Sequence, residues 1–151
     1  MTHILRTAFD VPGAVPDVFA FFAEAENLER ITPRELGFRI TTPQPIAMGE
    51  GTLIDYQLRL FGVPFTWKTE ITVWNPPHEF VDVQLKGPYR LWRHSHTFAP
   101  TDRGTRITDE VIYELPFSPF GDVAHPLVRL QLSRIFQYRE IAVREMLGGG
   151  R

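Results

Sequence analysis

Two histidines stand two residues apart in the run Leu91-Trp92-Arg93-His94-Ser95-His96-Thr97-Phe98, and Asp109 lies in a second run, Thr105-Arg106-Ile107-Thr108-Asp109-Glu110-Val111-Ile112-Tyr113. Imidazole titrates near neutrality, and a neighbouring carboxylate fixes its tautomer and raises its basicity. Such a pair can act as general acid and base in a dehydration, a cyclisation or a hydrolysis. Both runs alternate between apolar and polar residues, so side chains two apart share a face. Trp92, His94, His96 and Phe98 fall together on the first run; Ile107, Asp109, Val111, Tyr113 and Leu115 fall together on the second. The residues between them include Pro100, Asp102 and Gly104, which marks a hairpin. A turn centred near Asp102-Arg103 predicts Phe98 opposite Ile107, His96 opposite Asp109, His94 opposite Val111 and Trp92 opposite Tyr113. Directly opposed Cβ atoms sit about 4.5–5.5 Å apart, so a His96–Asp109 hydrogen bond is expected. One run earlier, Phe80, Asp82 and Gln84 alternate onto one face, with Asp82 near Trp92 or His94. A polar strip of Asp82, Gln84, His94, His96, Asp109 and Tyr113 is expected within an otherwise apolar wall.

Such a strip has three uses. Buried histidines and aspartates pair because an unpaired buried polar group is costly. A few polar groups in an apolar pocket orient a ligand. The catalytic use would fall on His96, Asp109 and His94. His94-x-His96 with Asp109 could also hold a metal, but any alternating strand with two histidines produces that spacing, so neither a metal nor another cofactor is expected. Ser95, Ser118 and Ser133 lack the setting of a nucleophile elbow, and no glycine-rich phosphate loop follows a strand.

The strip has to be held by other elements. Residues 3–10 read as an opening strand, broken by Val11-Pro12-Gly13. Pro16 suits a first helical turn, and residues 25–31 continue or restart that helix before Thr32-Pro33 ends it. Residues 38–41 form a weak strand. Residues 52–60, 65–74 and 80–85 form longer ones, with turn chemistry between them that predicts an antiparallel meander. In residues 65–74 the alternation sets Trp67, Thr69, Ile71 and Val73 on one face. A proline-punctuated connector, residues 116–121, leads to a helix over about 122–147. Its apolar stripe is Val128, Leu132, Ile135, Ala142 and Met146, widened by Leu127, Ile141 and Val143. Arg129, Arg134, Arg139, Arg144 and Glu145 lie largely off the stripe and are expected in solvent, with Tyr138-Arg139 anchoring the helix against the sheet.

The 151 residues suit one domain, residues 1–147, followed by a flexible tail, residues 148–151. The net charge of -2 carries no block of like charge, so no nucleic-acid partner is expected. The absence of cysteine excludes disulfides and thiolate chemistry. No apolar run reaches the roughly 18 residues of a membrane span, and no secretory pattern opens the chain; a cytoplasmic protein without membrane insertion is expected. Twelve phenylalanines in a small chain point to a wide core or a hollow one.

The order of elements and several motifs resemble the START-like superfamily, also called SRPBCC. The motifs are Pro16-x-x-Val18-Phe19-x-Phe21, Trp74-x-Pro76-Pro77-x-x-Phe80, Gly87-Pro88-x-x-x-Trp92-x-His94-x-His96-x-Phe98, Gly104-Thr105-x-Ile107-x-Asp109-x-Val111-x-Tyr113, and Ile135-Phe136-x-Tyr138-Arg139. They are similar to a bacterial branch of ligand-binding or cyclase/dehydrase-like proteins. The resemblance implies an α+β helix-grip fold: a curved seven-stranded antiparallel sheet gripping a long C-terminal helix, with two short helices after the first strand. It also implies a deep apolar cavity. The residues expected in its wall are Tyr56, Trp67, Ile71, Asp82, Gln84, Trp92, His94, His96, Asp109, Tyr113, Leu132 and Ile135. The expected function is binding or transport of a lipid, polyketide, isoprenoid or aromatic metabolite. The alternative is an aromatase/cyclase- or dehydratase-type enzyme. An exposed edge strand could support a homodimer.

Overall fold

The period-two runs form strands, and the helical period begins only after the last of them. The computed structural model describes residues 1–117 and 120–148. β1 (Thr2–Pro12) leads to α1 (Val15–Ala23), α2 (Asn27–Arg30), a 3-10 turn (Arg34–Leu36) and the short β2 (Arg39–Ile40). β3 (Leu53–Leu60), β4 (Val63–Asn75), β5 (Glu79–Lys86), β6 (Leu91–Pro100) and β7 (Gly104–Glu114) follow. A 3-10 turn (Phe120–Ala124) then leads into α3 (His125–Gly148). The seven strands make one antiparallel sheet in the order β1-β7-β6-β5-β4-β3-β2. The curved sheet grips α3, and α1 and α2 cover one end, as the helix-grip expectation requires.

β6 and β7 pair in the register that the turn dictates, from Trp92 opposite Tyr113 to Phe98 opposite Ile107. β1 closes against the far side of β7, with Pro12 opposite Gly104. A Cβ on Gly104 would lie 2.1 Å from the Val11 carbonyl oxygen, so only glycine lets the two strands meet there.

Two expectations about faces change. In β4 the register against β5 steps between Ile71 and Val73. The extra residue, Thr72, shifts the rest of the strand by one place, and a one-residue shift exchanges the faces of a strand. Trp74, not Val73, therefore packs inward, against Phe19 and Phe80 with ring centroids 5.1 and 5.6 Å away. On α3 the buried residues are Leu132, Phe136, Arg139 and Val143. Leu127, Ile141 and Met146 are exposed, because the stripe runs through Phe136 and Arg139 rather than toward them. α3 begins at His125, later than expected, with Pro126 in its first turn where its missing N–H is not needed. Gly148 is the last residue of α3; the rest of the expected tail lies outside the described residues.

The interior divides into two clusters. One, beneath α1 and the C-terminal half of α3, is rich in phenylalanine: Phe9, Phe19, Phe22, Phe80 and Phe98 with Val143. Edge-on rings fill it, with Phe19 set against Phe80 and Phe98 at 5.9 and 5.3 Å. The other is rich in tyrosine and tryptophan: Tyr56, Trp67, Tyr89, Trp92 and Tyr113 with Leu132 and Phe136.

Candidate functional site

Between the two clusters the sheet and α3 enclose a cavity of about 160 Å³. Of the residues expected in its wall, Tyr56, Trp67, Ile71, Asp82, Trp92, His94, His96, Leu132 and Ile135 line it. Gln84, Asp109 and Tyr113 do not. Gln84 Nε2 donates to the Tyr89 carbonyl at 2.7 Å, and its Oε1 accepts from the Tyr89 N–H at 3.1 Å, which spends the amide on the turn before β6. The Tyr113 hydroxyl lies 2.9 Å from His125 Nε2 at the start of α3. Asp109 is 1% exposed and sits behind the two histidines. Arg139, Phe22, Phe136 and Met48 join the wall without having been expected there.

The ionisable groups are tied together. His94 and His96 leave β6 on the same face and stack, with centroids 3.7 Å apart. Phe80 stacks on the other side of His96 at 4.0 Å. The expected tight His96–Asp109 pair is replaced by another. His94 Nε2 donates to Asp109 Oδ1 at 2.7 Å, while His96 Nε2 lies 2.7 Å from Asp82 Oδ2 on β5. His96 Nδ1 remains 3.3 Å from Asp109 Oδ1. The reason is direction: side chains lean along a strand, so the Cα register alone does not choose the acceptor. Arg139 descends from α3, and its Nη2 reaches both His96 Nδ1, at 3.2 Å, and Asp109 Oδ1, at 3.4 Å. Its guanidinium lies over Phe22 and Phe136, 5.3 and 5.8 Å from the ring centroids.

Arg139 was expected to help anchor the helix against the sheet, but its place in the cavity wall was missed. It is 6% exposed. Its spacing from Phe136 and Val143, three and four residues, places it in the buried stripe. That spacing was the available signal, and the habit of assigning arginines to solvent obscured it.

Burial and charge pull these groups apart in acidity. Burial, reinforced by the neighbouring His96, pushes His94 down from 6.5 to about 4. Burial works the same way on His96, but the Asp109 and Asp82 carboxylates outweigh it and hold His96 above its ordinary value. Burial opposes ionisation of Asp109, yet Arg139 and the two imidazoles hold its carboxyl well below the usual carboxylate range. Asp82 is likewise lowered: burial acts against it, and His96, His94 and Arg139 prevail. With a proton on His96, two carboxylates balance one guanidinium and one imidazolium. When His96 is neutral and protonated at Nε2, its Nδ1 accepts from Arg139 instead. Among the described residues, Asp109 Oδ2 and Arg139 Nε are buried without a hydrogen-bond partner.

No helix among the described residues is long and apolar enough to cross a membrane. No curated protein sequence matches the chain. Solved structures match it over nearly its whole length. TTHA0849 from Thermus thermophilus superimposes with a TM-score of 0.78 at 17% identity, covering 97% of this chain and 98% of that one. A point mutant of the norcoclaurine synthase of Thalictrum, in complex with a transition-state analogue, gives 0.70 at 14% identity, covering 97% and 94%. The di-domain aromatase/cyclase StfQ from the steffimycin biosynthetic pathway gives 0.73 at 16% identity; 98% of this chain spans 52% of that one. At these identities the likeness is one of fold, the SRPBCC helix-grip fold. The profile of the polyketide cyclase / dehydrase and lipid transport family matches residues 11–135, and the chain belongs to that family.

Proposed function

We propose that the protein binds a small, largely apolar molecule carrying one polar oxygen, of the lipid, polyketide, isoprenoid or aromatic class. Its body would lie against Tyr56, Trp67, Trp92, Leu132 and Phe136, and its oxygen against Asp82, His94 and His96. The observation that carries this reading is the cavity: an apolar and aromatic wall interrupted by one hydrogen-bonded patch of ionisable groups. A few placed polar groups in an apolar pocket fix the orientation of a ligand. The volume of about 160 Å³ suits a guest of one or two rings or a short chain, since an apolar cavity of about 150 Å³ accepts benzene.

A second reading, acid–base catalysis of a cyclisation or dehydration, is favoured by one observation. Asp82 is the most exposed member of the patch, at 16%, and it shares a hydrogen bond with His96, whose affinity for a proton is raised. That places a group able to give or take a proton at the cavity wall.

The test uses 2-naphthol, two rings with one hydroxyl, read by the fluorescence of Trp67 and Trp92. Saturable quenching is expected, weakened in Leu132→Phe, which narrows the cavity. His96→Ala should weaken binding about tenfold, the loss of one hydrogen bond. Native mass spectrometry of protein taken from its own source should show a bound molecule released on denaturation. No bound molecule, together with no saturable naphthol binding, would sink the binding reading. A substrate whose turnover falls by orders of magnitude in His96→Ala, with its binding kept, would establish the catalytic one.

A further inference from the structure

We propose that Asp82, His94 and His96 form a site for a divalent first-row transition metal of the zinc type, with Asp109 as the carboxylate that orients both imidazoles. The spacing of His94 and His96 did not by itself support a metal, and Asp109 was the third candidate ligand. The structure supplies a different third residue. One donor atom each from Asp82, His94 and His96 lies within 4.8 Å of the other two. Bonds of about 2.0–2.2 Å to zinc place donor atoms roughly 3.0–3.6 Å apart. The separations here bracket that range: 2.7 Å from His96 Nε2 to Asp82 Oδ2, and 4.0 Å from His94 Nδ1 to the same oxygen.

The tautomers fit as well. A carboxylate only accepts, so the 2.7 Å contact with Asp109 places the His94 proton on Nε2. Its Nδ1 then carries a lone pair and lies 4.0 Å from Asp82 Oδ2, a second acceptor. Two acceptors converge there on a space that calls for a positive centre. In neutral His96 with its proton on Nε2, that proton bridges to Asp82 Oδ2 at 2.7 Å. When that proton moves to Nδ1, opposite Asp109 Oδ1 at 3.3 Å, Nε2 becomes a ligand, and Arg139 Nη2 gives up its contact with Nδ1 and donates to Asp109 Oδ1 alone. Asp109 then holds the outer N–H of both rings, the carboxylate–histidine–metal arrangement that raises ligand basicity. Arg139 lies on the Nδ1 side of His96, against Asp109, and away from the ligand edge.

Three protein ligands leave at least one coordination position for a further ligand. Asp82, His94 and His96 all line the cavity, so that position faces it. The ion adds at least one net positive charge to the patch, which favours an anionic oxygen there: a carboxylate, a phenolate or an enolate.

The proposal stands apart from the ligand reading, because zinc is added without an organic ligand and 2-naphthol without zinc. The full chain, stripped with chelator, is titrated calorimetrically with Zn²⁺ and assayed for metal after gel filtration. Co²⁺ serves as a visible-absorbing probe. One ion per chain is expected. Asp82→Ala and His94→Gln should each weaken binding by about 100-fold or more, and Asp109→Asn by roughly 10–100-fold. His3→Ala should change nothing. The folded state of each variant is checked by circular dichroism. If a variant does not fold, the wild-type Co²⁺ spectrum decides alone: d–d bands of an N/O-coordinated ion support the site and their absence overturns it. Failure of the wild type to retain Zn²⁺, or retention unchanged in both Asp82→Ala and His94→Gln, also overturns it.

Discussion

Among the described residues two pairs of imidazoles stack, in opposite electrostatic surroundings. His94 and His96 stack at 3.7 Å in the interior; His3 and His125 stack at 3.5 Å where β1 meets the start of α3. The inner pair has two carboxylates and a guanidinium around it, on β5, β7 and α3. The outer pair has Asp122, with His3 Nε2 3.5 Å from its Oδ1, and the Tyr113 hydroxyl. Within the inner pair, one ring is driven down to about 4 and the other is held up. Both are buried and both have Asp82 and Asp109 nearby; the difference is that His96 is hydrogen-bonded by both carboxylates, while His94 is hydrogen-bonded by Asp109 alone and is lowered further by His96. At the outer pair, His125 is lowered, by burial first and then by His3 and Arg129, and its tie to Tyr113 fastens the helix start to the sheet. Stacking alone therefore decides nothing; the surrounding charges split the acidities of the inner pair, while the outer pair ties the helix start to the sheet.

The largest blow to this contrast should come from Arg139→Met. It leaves Asp109 buried without its guanidinium, and removing one partner of a buried ion pair costs about 3–5 kcal/mol. Urea unfolding at pH 7 measures it; a loss below about 1 kcal/mol would mean that the inner charges are not coupled.

Next comes acid. A base whose folded pKa is depressed gives stability that is complete above its unfolded value and lost as the pH falls toward the folded one. For His94 that window runs from 6.5 down to about 4, and the loss across it is on the order of 3 kcal/mol. His96 has the opposite sign: its contribution is complete below 6.5 and fades as the pH rises through its raised value. Unfolding measured from pH 6.5 to 4 should show the decline in the wild type and a shallower one in His94→Gln. Equal slopes in the two proteins would refute the assignment.

The smallest effect belongs to the outer pair. Tyr113→Phe removes one hydroxyl contact and should cost about 0.5–1.5 kcal/mol, with the visible titration of the inner histidines by NMR unchanged. Movement of the His94 or His96 resonances would show that the two pairs communicate.

The register of β6 and β7 was legible because two long alternating runs meet at a short turn, and one residue of slip would have turned every apolar side chain outward. The choice of partners within that register was not. Asp82 and Asp109 flank β6 from either side, and the lean of each imidazole decides which carboxylate it meets. The exchange of Trp74 for Val73 had no local signal, since an extra residue in a strand leaves its composition unchanged. Arg139 did have one. A charged residue three after Phe136 and four before Val143 lies in the buried stripe, and such a residue needs a buried charge to neutralise. Tyr113 and Gln84 were placed on the correct strands, but their polar ends turn to His125 and to the Tyr89 backbone, choices made by elements distant in sequence from the alternation.

The pairing of β1 with β7 also bears on the order in which the molecule can be built. Thr2 lies opposite Glu114, 112 residues later, while β3 to β7 join their neighbours through short turns. Local hairpins close before distant strands find each other, because a long loop must lose its entropy before any contact rewards it. The meander therefore comes first, and the opening strand waits for β7 to exist before it has an edge to join. Arg139, 30 residues after Asp109, closes a shorter loop than β1 does, but it too has to wait for the meander. Until it docks, the carboxylates and imidazoles of the sheet face water. Docking of α3 is thus the step that covers the patch, and a chain cut short before α3 would present an open sheet with its charged groups in solvent.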